Sequence, residues 1–206
     1  LSFYTIPEVI KLAVPYFQQE YSRSCEAASL RMTLAYRGIQ TNDMDILQKI
    51  GYAPREKDLI NDIWDDPHVM FVGNASKDEG SGYGVYAEPV ALAAKKFGRE
   101  AAYTTTVTPQ FIAKNIHAGN PVILWGYTSL EVPQTIWKTP TGGEALALNG
   151  EHARVVVGVY GSETNPIGFY IHDPKNGRQY EYWDTQSLVK NFSAVSGVTN
   201  QAVAVN

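Results

Sequence analysis

The chain has 206 residues, 44% of them apolar and 18% charged, with a net charge of -4. That composition is globular. Lacking a basic stripe or a long like-charge run, it argues against nucleic acid or an anionic membrane surface as partner. The longest apolar stretches, Pro121 to Trp125 and Val155 to Val159, are too short to span a bilayer. No signal-peptide pattern is present, and a start at Leu1 fits a trimmed or processed form.

The spacing predicts a helix over 25–37, with Ala27, Leu30 and Leu34 on one face, Ser22 or Ser24 as cap and Gly38 as stop. A second helix is expected from Thr41 to Ile50, ended by Gly51. Residues 51–86 carry many prolines and glycines, and a loop of that length is usually functional or ordered by short helices. Further helices are expected over 89–97 and 108–118, the latter with Pro109 at its start. After Gly119 the pattern changes to strands over 121–127, 151–160, 168–173, 178–183 and 201–205, with one helix over 184–192. Helices early and strands late predict an α+β fold in a single domain, a helical lobe over about 1–118 and a mainly antiparallel sheet lobe over about 119–206.

Cys25 is the chain's single cysteine, which excludes an intramolecular disulfide and a thiolate metal cluster within the chain. It reads either as an inert buried hydrophobe or as a nucleophile. Exposed N–H groups at the start of a helix favour a thiolate there. Gln19, six residues upstream, and the backbone N–H of Cys25 would make an oxyanion hole. The nucleophile needs a distant histidine. His68 lies in an acidic turn with Asp65 and Asp66, which offer metal-ligand types without a metal motif. His117 ends a helix. His152 opens a strand in Gly150-Glu151-His152-Ala153, and His172 precedes Asp173. Strand alternation turns His172 away from the face of Asp173. The antiparallel pairing of 151–160 with 168–173 brings Asp173 within a few residues of His152, so that a bulge or stagger would complete the contact.

Val14-Pro15-Tyr16-Phe17-Gln18-Gln19, Cys25 with Ala27-Ala28, Gly150-Glu151-His152-Ala153, and His172-Asp173-Pro174 with Gly177 together resemble the bacterial double-glycine leader peptidase-like family of papain-like cysteine peptidases. The resemblance covers about residues 13–183. It implies a papain-like fold with the nucleophile Cys25 at a helix N-terminus, His152 as base, Asp173 as orienting acid and Gln19 as oxyanion donor. It also implies a peptide or protein substrate, no cofactor or metal, and action outside the cytoplasm of a bacterium, although the single cysteine alone suits the cytosol equally. Two positions depart from the pattern. Glu26 stands where a glycine is frequent, and its side chain is expected to diverge from Cys25, with little effect on the thiol. Arg154 shares the strand face of His152, with its partner open. The same triad would also serve acyl transfer or isopeptide cleavage, and a non-catalytic peptide-binding domain is the non-enzymatic alternative. Gly82, Tyr83, Gly84 and Tyr86 are expected to wall a narrow substrate groove and so to favour glycine or alanine before the cut.

Overall fold

The structure, a computed structural model, describes residues 7–76, 81–128 and 134–206. In chain order these form β1 (Val9–Lys11), α1 (Cys25–Tyr36), α2 (Asp43–Ile50), α3 (Ala87–Lys96), β2 (Ala101–Thr104), α4 (Pro109–His117), β3 (Val122–Tyr127), β4 (Gln134–Lys138), β5 (Glu144–Leu148), β6 (Glu151–Gly161), β7 (Pro166–His172), β8 (Glu181–Asp184), α5 (Thr185–Phe192) and β9 (Ala202–Val205). The fold is α+β, with N-terminal helices packed on a mainly antiparallel sheet, the architecture of papain-like peptidases. The sheet runs β2-β9-β3-β6-β7-β8, and β1 pairs the far end of β6 through Val9–Tyr160. All of its pairings are antiparallel.

Helices cover both sheet faces, which explains the unbroken apolar run of β3, buried at every residue. Ile123 and Trp125 face a core with Leu30, Leu34, Ile46 and Val90 from α1–α3. Val122 and Leu124 face a second core with Ile112 and Ile116 of α4 and Leu188 and Phe192 of α5. The Trp125 indole donates to Val85 O at 3.0 Å, so the ring is buried with its polar atom satisfied.

Several boundaries differ from expectation for local reasons. α2 is capped by Asn42, whose side chain accepts from Asp45 N at 2.8 Å, and not by Thr41. α3 begins at Ala87 because Gln201, remote in sequence, accepts the Ala87 N–H at 3.1 Å. The hairpin β4–β5 has no counterpart in the sequence reading. β5 is Glu-Ala-Leu-Ala-Leu, residues of high helix propensity that act as a strand only through their register with β4. Short β1 and β2 carry too few residues for an alternation signal.

Candidate active site

Cys25 is the first residue of α1. Ser24 holds the N-cap position without capping the helix. Its hydroxyl is instead committed to Asp43 Oδ2 at 2.7 Å, tying α1 to α2. The Cys25 side chain is 8% exposed. Its Sγ donates to Glu26 Oε2 at 3.3 Å and receives the backbone N–H of Ala153. Burial, followed by the charges of Glu26 and Glu151, pushes the thiol well above its ordinary range, and the Ala153 N–H only partly opposes this. The resting sulfur is therefore a protonated thiol at neutral pH. Glu26 thus meets Cys25, against the expected divergence. Its carboxylate folds back because Val85 N donates to Oε1 at 2.9 Å. Burial raises the Glu26 carboxyl to about 7. Burial, with the Glu26 charge next, raises Glu151 well above its usual value. Glu26→Gln removes the charge beside the sulfur. Alkylation of Cys25 at neutral pH should then speed up, by about tenfold for each unit the thiol's pKa falls. An identical rate–pH curve for wild type and Glu26→Gln contradicts this placement.

The other half of the site lies on the alternate side of β6. His152 and Arg154 share one strand face, while Glu151 and Ala153 share the face toward Cys25. The register Val155–His172, with a bulge between Val156 and Gly158, brings Asp173 to the His152 face. His152 Nε2 lies 2.8 Å from Asp173 Oδ1, and Arg154 Nε donates to Asp173 Oδ2 at 2.8 Å. Lys175 N and Asn176 Nδ2 also donate to this carboxylate. Burial would raise the Asp173 pKa, but the His152 hydrogen bond and the His152 and Arg154 charges outweigh it and hold the group far below the usual carboxylate range. An ionised Asp173 only accepts, so the proton of neutral His152 sits on Nε2 and Nδ1 keeps its lone pair. Burial, against the pull of Asp173, lowers the His152 pKa and keeps the ring neutral. The ring is thus held by Asp173 with an unprotonated Nδ1.

The remaining assignments divide. Gln19 Nε2 donates to Tyr21 O at 2.8 Å and Ser22 O at 3.0 Å, so both amide protons close the 19–22 turn. Among the described residues no hydrogen bond joins Cys25 to His152 or to Gln19. His172 is structural: Tyr180 N donates to its Nδ1, and its Nε2 donates to Val14 O. His117 bonds Gly161 O, and Asp65 pairs with Arg55 while His68 pairs with Asp66. The ligand-type side chains that do converge among the described residues are Cys25, Glu26 and Glu151.

A pocket of about 200 Å3 opens beside Glu151, between Trp64, Tyr83, Trp137, Arg23 and Lys57. Gly82 and Tyr83 line it. Gly84 and Tyr86 do not: a Cβ at Gly84 would lie 2.3 Å from Glu26 Oε1, and the buried Tyr86 donates its hydroxyl proton to Leu146 O. The glycines do not bare backbone to a narrow groove, because Asn74 fills the space beside Gly82, 2.2 Å from a Cβ there, and Glu26 that beside Gly84. Sequence reasoning missed Glu26 and Glu151 as neighbours of the thiol. The available signal was the strand alternation that sets Glu151 opposite His152.

Residues 11–200 match the Peptidase_C39 like family. The chain belongs to that family. A Bacillus anthracis chain assigned as a C39-like peptidase is 27% identical over 97% of this chain and 98% of that one, with a TM-score of 0.79. The peptidase domain of Streptococcus ComA, a bifunctional ABC transporter, is 15% identical over 95% of this chain and 97% of its own, with a TM-score of 0.53. A double-glycine motif protease from an AMS/PCAT transporter, solved with its leader peptide, is 18% identical over 98% and 97%, with a TM-score of 0.51. These last two share the fold with this C39-like chain. No curated protein matches it in sequence. Membership in the C39-like family supports peptidase activity in general, and no described helix is long and apolar enough to cross a membrane.

Proposed function

We propose that the chain is a cysteine peptidase in which Cys25 attacks the peptide carbonyl, His152 moves the proton and Asp173 orients His152. The observation that carries this reading is the buried 2.8 Å contact of His152 with Asp173. It leaves Nδ1 bare on the residue that precedes Ala153, whose N–H touches the Cys25 sulfur. This reading requires the thiol to leave Glu26 and to meet that nitrogen around the start of β6, where Cys25 and His152 lie toward alternate faces of the strand. The thiol proton then passes to Nδ1, and the thiolate adds to the carbonyl carbon. The C–N bond breaks as His152 protonates the leaving amine, and water, deprotonated by His152, releases the acid and restores the thiol. The α1 N-terminus stabilises negative charge at this point. The pocket beside Glu151 is the proposed seat of a substrate side chain, with Gly82 and Tyr83 in its wall.

Gln19 enters this reading as an oxyanion donor that exchanges one turn bond for the substrate oxygen. Gln19→Ala should then lower kcat by about a hundred- to a thousandfold, while Gln18→Ala stays near wild type. A Gln19→Ala variant that loses thermal stability but keeps its kcat assigns the side chain to the 19–22 turn alone. The sealed thiol favours a second reading, a peptide-binding domain without turnover, which the Cys25 and labelling experiments below separate from the first.

A further inference from the structure

We infer that Cys25, Glu26 and Glu151 form a binding site for a thiophilic divalent cation of the zinc type, and that the bound ion withdraws the nucleophile from reaction. One ligand atom from each residue falls within 4.8 Å of the others. A tetrahedral ion with metal–sulfur and metal–oxygen bonds of about 2.3 and 2.0 Å spaces its ligands about 3.5 Å apart, and Sγ lies 3.3 Å from Glu26 Oε2.

A second observation points to a ligand. Glu151 Oε1 is sealed from solvent and has no hydrogen-bond partner. A carboxylate oxygen so placed costs free energy unless something compensates it. Among the described residues no ion pair reaches Glu26 or Glu151. Arg23 favours charge on both carboxylates without forming an ion pair with either, and the Arg154 guanidinium is already committed to Asp173 and to Tyr127 O. Both carboxylates converge over Gly84, where a Cβ would stand 2.3 Å from Glu26 Oε1 and 3.2 Å from Glu151 Oε2. The bare backbone at Gly84 is what admits them side by side. Glu151, the least buried of the three, also borders the 200 Å3 pocket, the side from which an ion would approach.

The donor set selects the ion. Magnesium and calcium take oxygen ligands, whereas one sulfur with two carboxylate oxygens suits zinc, with cobalt as its spectroscopic substitute. Binding releases the thiol proton as the metal–sulfur bond forms, and any proton held by the carboxylates leaves with it. While the ion is bound, the sulfur lone pair is unavailable to a carbonyl. The site stands apart from the peptidase reading, and only its inhibitory consequence rests on that reading.

The test is a Co2+ titration of the reduced, metal-stripped chain, followed through sulfur-to-cobalt charge transfer, with Zn2+ then used to displace the Co2+. One equivalent of Co2+ should bind with a thiolate band. Glu26→Gln and Glu151→Gln should each weaken binding about tenfold or more, on the scale of perturbed metal sites. His152→Ala should leave the affinity unchanged. Alkylation of Cys25 in the two metal-free glutamine variants, and melting curves for all three variants, establish that the pocket is intact. Absence of the thiolate band, equal affinity in wild type and both folded glutamine variants, or loss of binding in His152→Ala overturns the site. Zn2+ should also abolish peptide hydrolysis in wild type and less so in Glu151→Gln; equal inhibition of the two overturns the inhibitory role. A chain that binds Co2+ as described yet hydrolyses no peptide sinks the peptidase reading and leaves the metal site standing.

Discussion

Cys25→Ser should lower kcat for peptide hydrolysis at least ten-thousandfold, the scale on which loss of a nucleophile acts in a catalytic unit. Serine keeps the shape of the side chain and its capacity to donate to Glu26 Oε2, so the melting temperature should change little. The effect is large because a hydroxyl at this buried position, flanked by Glu26 and Glu151, is far harder to ionise than a thiol. A Cys25→Ser variant with wild-type turnover would remove Cys25 from the chemistry and with it the reading of the whole site.

Asp173→Ala should be costly twice over. It strips both His152 and Arg154 of their shared partner, and Arg154 is only 8% exposed. Leaving a buried guanidinium uncompensated costs about 3–5 kcal/mol, read as a fall in denaturation midpoint. Turnover should fall by up to about ten-thousandfold, by analogy with other orienting aspartates, yet stay measurable. The two effects separate in Asp173→Asn, which retains the shape and, through its carbonyl, one acceptor. There the rate should fall more than the stability. The sign with pH follows from Asp173, whose folded pKa is depressed below its unfolded one. Its stabilisation is present above the unfolded value, about 3.9, and is lost as pH falls toward the folded one. Acid unfolding should therefore steepen below about pH 4 in wild type and flatten in Asp173→Asn. Identical acid limbs contradict the ion-pair geometry. His172→Ala should leave turnover far less affected, since that ring serves Val14 and Tyr180.

Local pattern made much of this fold legible. The apolar run of β3, the valines of β6 and the helix beginning at Cys25 each announce themselves within a few residues. The His152–Asp173 pair was within reach of strand alternation plus hairpin pairing, because both operate on backbone geometry. The partner of Arg154 was half legible: its face was fixed by alternation, whereas Asp173 as its partner required the register and the bulge near Gly158. Glu26 was misread because neighbouring helical side chains ordinarily diverge. Here Val85 N–H, 59 residues away, bends the carboxylate back to the sulfur. The same kind of distant group, Gln201, sets the start of α3. Gly82 and Gly84 looked like open backbone in sequence, yet each is glycine because another group already occupies the space of its side chain. Local signals carry the elements, and long-range hydrogen bonds carry the electrostatics of the thiol.

Covalent labelling tests the central claim most directly, since Cys25 is the only cysteine in the sequence. A peptide-based thiol electrophile should add one label per chain in intact-mass analysis, mapped to Cys25, and peptide hydrolysis should vanish in proportion to labelling. Addition should depend on His152 and be lost in His152→Ala. Full labelling of Cys25 with hydrolysis unchanged would contradict the account.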